Sequence, residues 1–354
     1  MPSSRQSLPA SPWWSAERHA DRRPALIMRG AIKAAIRRHF ETEGFIEVES
    51  GALQVSPGNE AHLHAFKTEF RTEAGATAPL YLHTSPEFAM KKLLAAGERR
   101  IFAFAPVFRN REASARHAPE FTMLEWYRAG EPYTRIADDC LSVLRIAAKV
   151  AGPAPWHSAH RRLAPEAMPL RLTVAEAFQR HARIDLLATL DGADADRDAL
   201  AVQVERSGIR VAADDTWSDL FSRVLAERIE PALAAHPAPV LLDEYPTHEA
   251  ALARPCSHDG RVAERFEFYA AGLELANCFG ELTDPAEQRR RFEAEMAEKL
   301  RVYGERYPID EDFLAAHAQM PPASGGALGF DRLVMLATGA THITQVQWTP
   351  LELG

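Results

Sequence analysis

The stretch FRNREASARHAPEFTMLEWY, residues 108–127, decides how the rest of the chain is interpreted. An aromatic-rich apolar run at 101–108 precedes it, and residues 121–127 are strong strand formers, so both flanks are predicted as strands. Pro119 prevents a helix from continuing through the loop between them. The cationic side chains of this loop are Arg109, Arg111, Arg116 and His117. Because guanidinium forks match phosphate oxygens, the loop predicts a cradle for a polyphosphate, and a solvated hairpin is the alternative.

A second pair of predicted strands, residues 265–269 and 274–281, carries three glutamates spaced by seven: Glu267, Glu274 and Glu281. That odd spacing would alternate their faces on one uninterrupted strand. A turn at 270–272 would instead form a hairpin that brings Glu267 and Glu274 together. Neighbouring carboxylates repel unless a cation separates them, and magnesium held with phosphates is such a cation. The alternative is that these glutamates lie on a solvent-exposed face. This alternative is weaker for all three together, because an apolar run lies beside them.

Composition excludes several classes of protein. The 354 residues are 46% hydrophobic and 25% charged, as in a soluble globular protein, and the net charge of -8 does not favour a general nucleic-acid binder. The three cysteines lack a CxxC pair, which argues against a disulfide framework or a zinc site. No apolar run is long enough for a membrane span, so no membrane partner is expected.

The N-terminal region has the opposite charge balance. Through His39, lysine and arginine outnumber aspartate and glutamate by eight to two, with Arg22 and Arg23 adjacent. Either a solvated helix face or a docking face for an acidic partner explains this pattern. A helix is predicted from Pro24 to Gly44, because Pro suits a first turn and apolar residues then recur at helical spacing.

Two further helix starts stand out in the sequence. Ser85 is a plausible N-cap, with Pro86 at the first helical position and the acid Glu87 at the positive helix end. Residues 325–336 are predicted as a glycine-rich entry into a helix, whose glycines would let the backbone approach a ligand. Helix is also predicted at 134–150, a linker at 152–170 and mostly helix at 172–236.

Together these segments resemble the three signature motifs of class II aminoacyl-tRNA synthetases. The motifs are GFIEVES (44–50), FRN…RH.PEF (108–121) and GALGFDR (326–332), and TSPE, PEFTMLEWY, ELAN.F.EL and GFDRLVML are closest to the lysyl branch. The resemblance covers about residues 22–340. It implies an α+β fold, a class II synthetase catalytic domain in which helices flank an antiparallel sheet, and a homodimer formed through the first motif.

The first motif begins near Arg22, which leaves no room before it for the anticodon-binding barrel, about a hundred residues long, of lysyl-tRNA synthetases. The expected organisation is a flexible N-terminal extension at 1–21, a catalytic domain at 22–354 with a mostly helical insertion at about 152–236, and no anticodon-binding domain. The chain thus resembles the truncated lysyl-synthetase paralogues that attach (R)-β-lysine to a lysine of translation elongation factor P, in the cytoplasm. Ala327 supports this, since lysyl-tRNA synthetases have glycine there.

The resemblance implies ATP and Mg²⁺ as cofactors. It assigns nine residues to ATP binding: Arg109, Asn110, Arg111, His117, Phe121, Glu274, Leu275, Gly329 and Arg332. Arg109 would neutralise charge at the α-phosphate, and His117 and Arg332 would reach the outer phosphates, which makes the two arginines the catalytic residues. Phe121 and Arg332 would sandwich the adenine. The metal ligands would be Glu267 and Glu274.

The same resemblance assigns the amino-acid substrate, lysine or (R)-β-lysine, to eight residues: Ser85, Pro86, Glu87, Glu125, Tyr127, Asn277, Glu281 and Ala327. Ser85 and Glu87 would hold its amino end, and Asn277 its carboxylate. The far ammonium would be received by an acidic group made of Glu125, Tyr127 and Glu281. The α and β isomers remain alternatives at this point.

Three positions depart from the family pattern. Gly51 replaces a proline of the first motif, and Ala118 replaces an asparagine of the ATP site. Arg111 stands where a glutamate often reads the adenine, with Glu112 next to it as the alternative reader. The competing functions are a minimal lysyl-tRNA synthetase, which the acidic net charge and the missing barrel disfavour, and a non-catalytic amino-acid sensor. Retention of the phosphate and metal residues disfavours the sensor.

Overall fold

A computed structural model describes residues 12–152, 156–158 and 161–351. Most of the predicted flexible extension, residues 1–11, lies outside the described part. The first helix begins at Ala16, eight residues before the predicted start at Pro24, because the Ser15 side chain accepts a hydrogen bond from the Arg18 amide at 3.4 Å and caps it. Residues 16–21 are therefore helical, and Pro24 lies inside the helix.

The helices are α1 (Ala16–Thr42), α2 (Glu87–Ala95), α3 (Tyr133–Ala151), α4 (Val174–Ala182), α5 (Arg197–Arg206), α6 (Trp217–Val224), α7 (Glu230–Ala234), α8 (Pro285–Tyr303), α9 (Glu311–His317) and α10 (Phe330–Thr338). The strands are β1 (Ile46–Glu47), β2 (Leu53–Gln54), β3 (Phe66–Arg71), β4 (Thr77–Leu82), β5 (Arg100–Phe108), β6 (Glu120–Ala129), β7 (His157–Ser158), β8 (Arg161–Arg162), β9 (Leu170–Thr173), β10 (Leu190–Asp191), β11 (Asp194–Ala195), β12 (Val240–Asp243), β13 (Arg265–Ala270), β14 (Leu273–Gly280) and β15 (Ala323–Gly329). None of the described helices is long and apolar enough to span a lipid bilayer.

Eight of these strands form one sheet in the order β1-β5-β6-β15-β14-β13-β12-β9. The strand pairs inside the sheet are antiparallel, and the two pairs at its edges, β1 with β5 and β9 with β12, are parallel. This confirms the predicted α+β fold, with helices flanking an antiparallel sheet. It also confirms strands on both sides of the cationic loop, as β5 and β6.

The two faces of the sheet serve different purposes. Leu124 and Trp126 of β6 are fully buried in a cluster with apolar side chains of α1, α3 and α10. The alternate residues Met123 and Tyr127 point to the other face, where Met90 of α2 covers part of the sheet. Because side chains alternate along a strand, one face carries the main core and the opposite face is left for polar side chains.

The predicted hairpin of β13 and β14 is confirmed. Ala271 and Gly272 both have positive φ, 50° and 76°, as a tight two-residue hairpin turn requires. Tyr269 pairs with Glu274 while Phe268 pairs with Ala276, so a bulge adds one residue to β14. The two-residue turn pairs Glu274 with Tyr269 and so places it on the face that carries Glu267, as the predicted hairpin required. The bulge at Leu275 then brings Asn277 to the same face, opposite Glu267.

The glycine-rich segment 325–336 differs from its prediction. Its first part is the strand β15, and the helix α10 begins only at Phe330. A methyl group at Gly325 would lie 2.4 Å from ring atoms of Tyr127, and one at Gly326 would lie 2.9 Å from Trp126. These two glycines are therefore needed so that β15 can pass next to bulky side chains of β6, rather than for the approach of a ligand.

Residues 152–236 are less separate than predicted. They contain the helices α4 to α7, with a π-helical segment Leu225–Ile229 that joins α6 to α7. However, β9 pairs with β12 and becomes an edge strand of the main sheet. A second apolar core, which includes Phe178, Trp217 and Phe221, joins these helices to the sheet. The division into domains stays a prediction.

Two chemical expectations have clear outcomes. All three cysteines are free, and the Sγ atoms of Cys140 and Cys278 lie 3.7 Å apart in the main core. Arg22 is buried, and its guanidinium donates to the carbonyl oxygens of Thr344, at 3.0 Å, and of Gln347. A docking face that uses Arg22 is therefore wrong, because this side chain ties the C-terminal segment to α1.

One buried ion pair anchors α3 to the central sheet. The guanidinium of Arg128 on β6 donates two hydrogen bonds of 2.8 Å to Asp139 on α3, and the indole of Trp126 donates a third of 3.0 Å. Both charged side chains are at least 95% buried. Removing one partner of such a buried pair strongly destabilises a protein, and here Arg128 would be left buried with only its longer contact of 3.3 Å to Glu131.

We therefore expect Asp139→Ala to lower the free energy of unfolding by about 3–5 kcal/mol, measured by urea denaturation. Asp138→Ala is the matched control, because Asp138 is exposed and contacts only Arg135 among the described ion pairs. The control should cost less than about 1 kcal/mol. Equal losses for the two variants would contradict the role given to Arg128.

Candidate active site

A row of side chains crosses four strands on the polar face of the sheet. The strand register aligns Glu125 of β6 with Ala327 of β15, then Asn277 of β14 and Glu267 of β13. Two residues along, Tyr127, Gly325, Phe279 and Arg265 form a parallel row. From these rows, Ala327, Asn277 and Phe279 line a cavity of about 320 Å³. The predicted residues that line this cavity are Ser85, Glu87, Arg109, His117, Phe121, Glu274, Leu275, Asn277, Ala327, Gly329 and Arg332.

One end of the cavity is cationic. Arg332 donates to the carbonyl oxygen of Glu274 at 2.9 Å and to Nε2 of His117 at 2.6 Å. Burial, and then the charge of Arg332, lower the pKa of His117, so its imidazole is neutral and can accept this bond. Ser114 contacts the other ring nitrogen at 2.7 Å and holds the ring orientation. His117 in the loop between β5 and β6 and Arg332 on α10 thus form one wall of the cavity, in which Arg332 carries the positive charge.

Arg109 forms the next part of this end. Its Nε donates to the carbonyl oxygen of Thr84 at 3.2 Å, and its guanidinium lies 5.3 Å from the ring centre of Phe121. Glu112 is 3.9 Å from its Nη1 and also lines the cavity. The backbone contact and the ring hold the arginine at the cavity while leaving its outer nitrogens available to a ligand.

Seven predicted site residues lie outside the lining of this cavity: Glu125, Tyr127, Glu267 and Glu281, and also Asn110, Arg111 and Pro86. The last three have other local contacts. Asn110 is exposed and uses its side-chain oxygen to accept from the Arg111 amide at 2.9 Å. Arg111 has a left-handed backbone, φ 67°, and its guanidinium is directed to Glu305 at 2.7 Å. Pro86 takes the cap position of α2, one residue before the helix, and lines a smaller neighbouring cavity. The side chains of these three residues serve local structure, whereas Glu112, the alternative to Arg111, lines the cavity.

The opposite end of the cavity is acidic and dry. Glu125 is 1% exposed and accepts hydrogen bonds from Ser85 at 2.5 Å and from Tyr127 at 2.7 Å. Burial raises the pKa of Glu125 to about 8, and the charge of Glu87 adds to the shift. Burial also raises the pKa of Tyr127, so its hydroxyl keeps the proton that it donates. Among the residues that the structure describes, the nearby lysine Lys91 pairs with Glu87 and Glu281, and no ion pair joins a cation to Glu125.

Lys91 is the residue of this end that sequence reasoning missed. Its ammonium is buried, 2.5 Å from Glu87 and 2.6 Å from Glu281. The spacing of four residues from Glu87 on a helix was a usable signal. Even with this partner, burial raises the pKa of Glu281 to about 7, and its Oε1 accepts no hydrogen bond from the described residues. One lysine thus faces three carboxyl groups, which leaves room for a second cation.

The predicted metal ligands lie at the side of the cavity. Glu267 accepts from Arg265 at 2.7 Å, and Arg265 also donates to Asn277 at 3.1 Å. Arg265 was missed in the sequence, although it shares a strand face with Glu267. Glu274 lines the cavity, where desolvation and then the charge of Glu267 raise its pKa. Two carboxylates that disfavour each other's charge fit the oxygen ligands that a hard divalent cation prefers.

A larger groove adjoins the cavity. It measures about 860 Å³ and shares with the cavity the walls made by Glu60, Leu63, Leu252, Asn277 and Phe279. Its far side is formed by residues of the 152–236 segment, among them Trp217, and by α8. Burial and neighbouring carboxylates raise the pKa of Glu60, between the two spaces, to about 7. The cavity is therefore open on one side to a space large enough for a side chain of another molecule.

Comparison with known proteins places this geometry in a family. The model for tRNA synthetases class II (D, K and N) matches residues 10–352. A relative named elongation factor P--(R)-beta-lysine ligase from Sodalis glossinidius (strain morsitans) is 39% identical over 325 residues, 91% of this chain and 93% of the relative. Proteins of the same name from Haemophilus influenzae (strain PittGG) and Salmonella dublin are each 38% identical over 91% of this chain and cover 93% and 94% of the relatives. The chain therefore belongs to the class II tRNA synthetases and, within them, to the family of elongation factor P–(R)-β-lysine ligases.

Proposed function

We propose that this protein is a ligase that activates (R)-β-lysine, or lysine, with ATP and transfers it to a lysine side chain of translation elongation factor P. The observation that carries the proposal is the polarity of a single cavity. A buried acidic pocket suited to an ammonium lies at one end, and two held arginines suited to phosphate lie at the other. The names of the relatives supply the acceptor protein.

In the first step, the substrate carboxylate attacks the α-phosphorus of ATP, pyrophosphate leaves, and an acyl-adenylate is formed. Arg109 and Arg332 are the proposed catalytic residues, because their guanidinium groups line the cavity and are held by backbone carbonyls and neighbouring rings. Held donors of this kind stabilise the charge that develops at the phosphates without needing to reorganise. His117 keeps Arg332 in place as a neutral acceptor.

Glu267 and Glu274 are the residues that would hold Mg²⁺. When bound, this cation supplies positive charge that offsets the phosphates and orients them. Of the nucleotide-binding assignments, Phe121, Leu275 and Gly329 keep their place in the proposal, since all three line the cavity.

The acidic pocket accounts for the choice of substrate. Glu125, Tyr127 and Glu281 would receive the far ammonium, in competition with the proton that Glu125 otherwise holds. Ala327 lies between Glu125 and Asn277 in the strand register, so its methyl group occupies the floor between the groups proposed for the two ends of the substrate. One methyl group in such a position changes substrate preference by about 1 kcal/mol or more, which supports discrimination between α- and β-lysine.

In the second step, the deprotonated amine of the acceptor lysine attacks the acyl carbon, AMP leaves, and an amide is formed. The groove that adjoins the cavity is the proposed entry for that side chain, because it reaches Asn277 and Phe279 from outside. We do not propose tRNA as the acceptor, because the net charge of -8 does not favour nucleic acid. The proposed location is the cytoplasm, where translation takes place.

We further propose a homodimer. Within residues 12–55, five large apolar side chains are more than half exposed, which is consistent with a face that a second copy covers: Trp14, Ile27, Ile46, Leu53 and Val55.

The proposal is tested by incubating the purified protein with elongation factor P, ATP, Mg²⁺ and either α-lysine or (R)-β-lysine, followed by intact-protein mass spectrometry. We expect the addition of one lysyl unit to the factor, faster with the β isomer. Lysine tRNA serves as a separate acceptor. Charged tRNA with an unmodified factor would make the protein a minimal synthetase, and ATP binding without acylation of either acceptor would support a sensor.

Two neighbouring arginines provide a matched pair for the first step. Arg109→Ala should lower kcat for pyrophosphate exchange by about 100- to 1000-fold, since one charge-stabilising donor is lost. Arg111→Ala, which removes contacts with Glu305 and with the Tyr303 ring outside the cavity, should change it less than about fivefold. Similar losses in both variants would reject the proposed difference between these residues.

The raised pKa of Glu125 predicts a pH dependence. Below pH 8 this carboxyl is mostly neutral in the free enzyme and cannot pair with an ammonium, whose own pKa of about 10 keeps it charged. The KM for the amino acid should therefore fall about tenfold per pH unit between pH 6 and 7 and level off above pH 8, with the KM for ATP as the internal control. Calorimetry in buffers of different ionisation enthalpy should show about one proton released at pH 7. A KM that does not change with pH in the wild type would contradict this account. Glu125→Gln should remove most of the proton release and leave the smaller part that comes from Glu281, whose pKa is raised to about 7.

A further inference from the structure

Outside the cavity, three side chains with different metal-binding atoms converge at the end of β12. One ligand atom from each of Glu244, Cys256 and His258 lies within 4.8 Å of the other two. We propose that these three residues form a zinc site. The His258 Nε2 and Glu244 Oε1 atoms are 3.4 Å apart, and two ligands bound to one zinc at about 2.1 Å in tetrahedral geometry are about 3.4 Å apart.

The backbone, rather than the side chains, holds the three residues together. The Cys256 amide donates to the carbonyl oxygen of Val262 at 2.8 Å, and the Ala263 amide donates to that of Tyr245 at 2.8 Å. These bonds tie the segment that holds Cys256 and His258 against the end of β12, where Glu244 lies. The ligands are therefore brought together by a fold that is already stabilised, which lowers the ordering cost of binding an ion.

The surrounding charges separate this cluster from an ordinary group of surface acids. Neighbouring carboxylates already have arginine partners: Asp243 with Arg171, Asp259 with Arg261, and Glu264 with Arg254. Within residues 12–152, 156–158 and 161–351, the ion pairs of Glu244 include no lysine or arginine, and its partner is His258. Cys256 is 6% exposed, so its sulfur is shielded on the protein side. A carboxylate, an imidazole and a thiol that share a space without a guanidinium form the mixed donor set that zinc accepts.

The site has a consequence for the cavity. Glu244 and Cys256 bracket the residues 245–255, and Leu252 within them lines both the cavity and the adjoining groove. An ion that binds both ends of this segment restrains the wall that the two spaces share, and three protein ligands leave a fourth position for water. The lack of a CxxC pair argued against a zinc site in the sequence. No sequence pattern indicated this one, because its ligands are one cysteine, one histidine and one glutamate that meet only in the folded chain.

The test uses the full chain, stripped with a chelator and then titrated with Zn²⁺ in competition with a chromophoric chelator. We expect one zinc per chain. Cys256→Ser and His258→Ala should each weaken binding by more than about 100-fold, since the loss of a mere outer-shell contact already costs 10- to 100-fold. Cys140→Ala, which removes a buried cysteine of the main core, is the matched control and should bind as the wild type does.

Substitution with Co²⁺ gives a second readout that is independent of activity. A sulfur-to-cobalt charge-transfer band should be present in the wild type and in Cys140→Ala and absent in Cys256→Ser. Zn²⁺ should also slow the hydrogen exchange of the amides of residues 244–263 in the wild type. It should not slow their exchange in Cys256→Ser. Sub-stoichiometric binding, a band that persists in Cys256→Ser, or an equal loss in the control would overturn the proposal. None of these readouts depends on ligase activity, so the zinc site and the proposed function can fail separately.

Discussion

The burial of three carboxyl groups with one ammonium is the constraint on which the site depends. Glu87, Glu125 and Glu281 meet Lys91 in a region that water barely reaches, and the raised pKa values of Glu125 and Glu281 record the cost of charging them there. A pocket with this imbalance favours a neutral state when empty and a cationic ligand when filled. The proposed selectivity for an amine-bearing substrate thus rests on desolvation as much as on any individual contact.

The sheet must be shaped to allow that burial. Position 325 requires glycine, because the Tyr127 ring occupies the space where a methyl group would lie. The hydroxyl of the same Tyr127 side chain donates to Glu125. The bulge of β14 has a related effect on Asn277, which it places opposite Glu267. Two local irregularities of an otherwise regular antiparallel sheet therefore position the acidic pocket and the residue proposed to hold the substrate carboxylate.

The cationic end follows a different design, in which each charged group is held through a neutral partner. Arg109 rests on a carbonyl oxygen and an aromatic ring, and Arg332 on a carbonyl oxygen and the neutral His117. The nearest carboxylates are farther away, with Glu112 3.9 Å from Arg109 and Glu274 3.7 Å from Arg332, so much of the positive charge remains available to the phosphates of the proposed reaction. Arg111 shows the contrast, since Glu305 already neutralises it outside the cavity.

The sequence by itself determined the strands around the cationic loop, the hairpin that carries Glu267 and Glu274, and the motifs that assign Arg109, Arg332 and the acidic pocket. These features depend on local pattern and on residue type, both of which are readable along the chain. Only the tertiary structure decided that Arg111 points away, that Arg22 anchors the C-terminal segment, and that Lys91 shares the acidic pocket. The physical reason is that burial and pairing of a charge depend on side chains that are distant in sequence, and no local pattern reports which of them will meet.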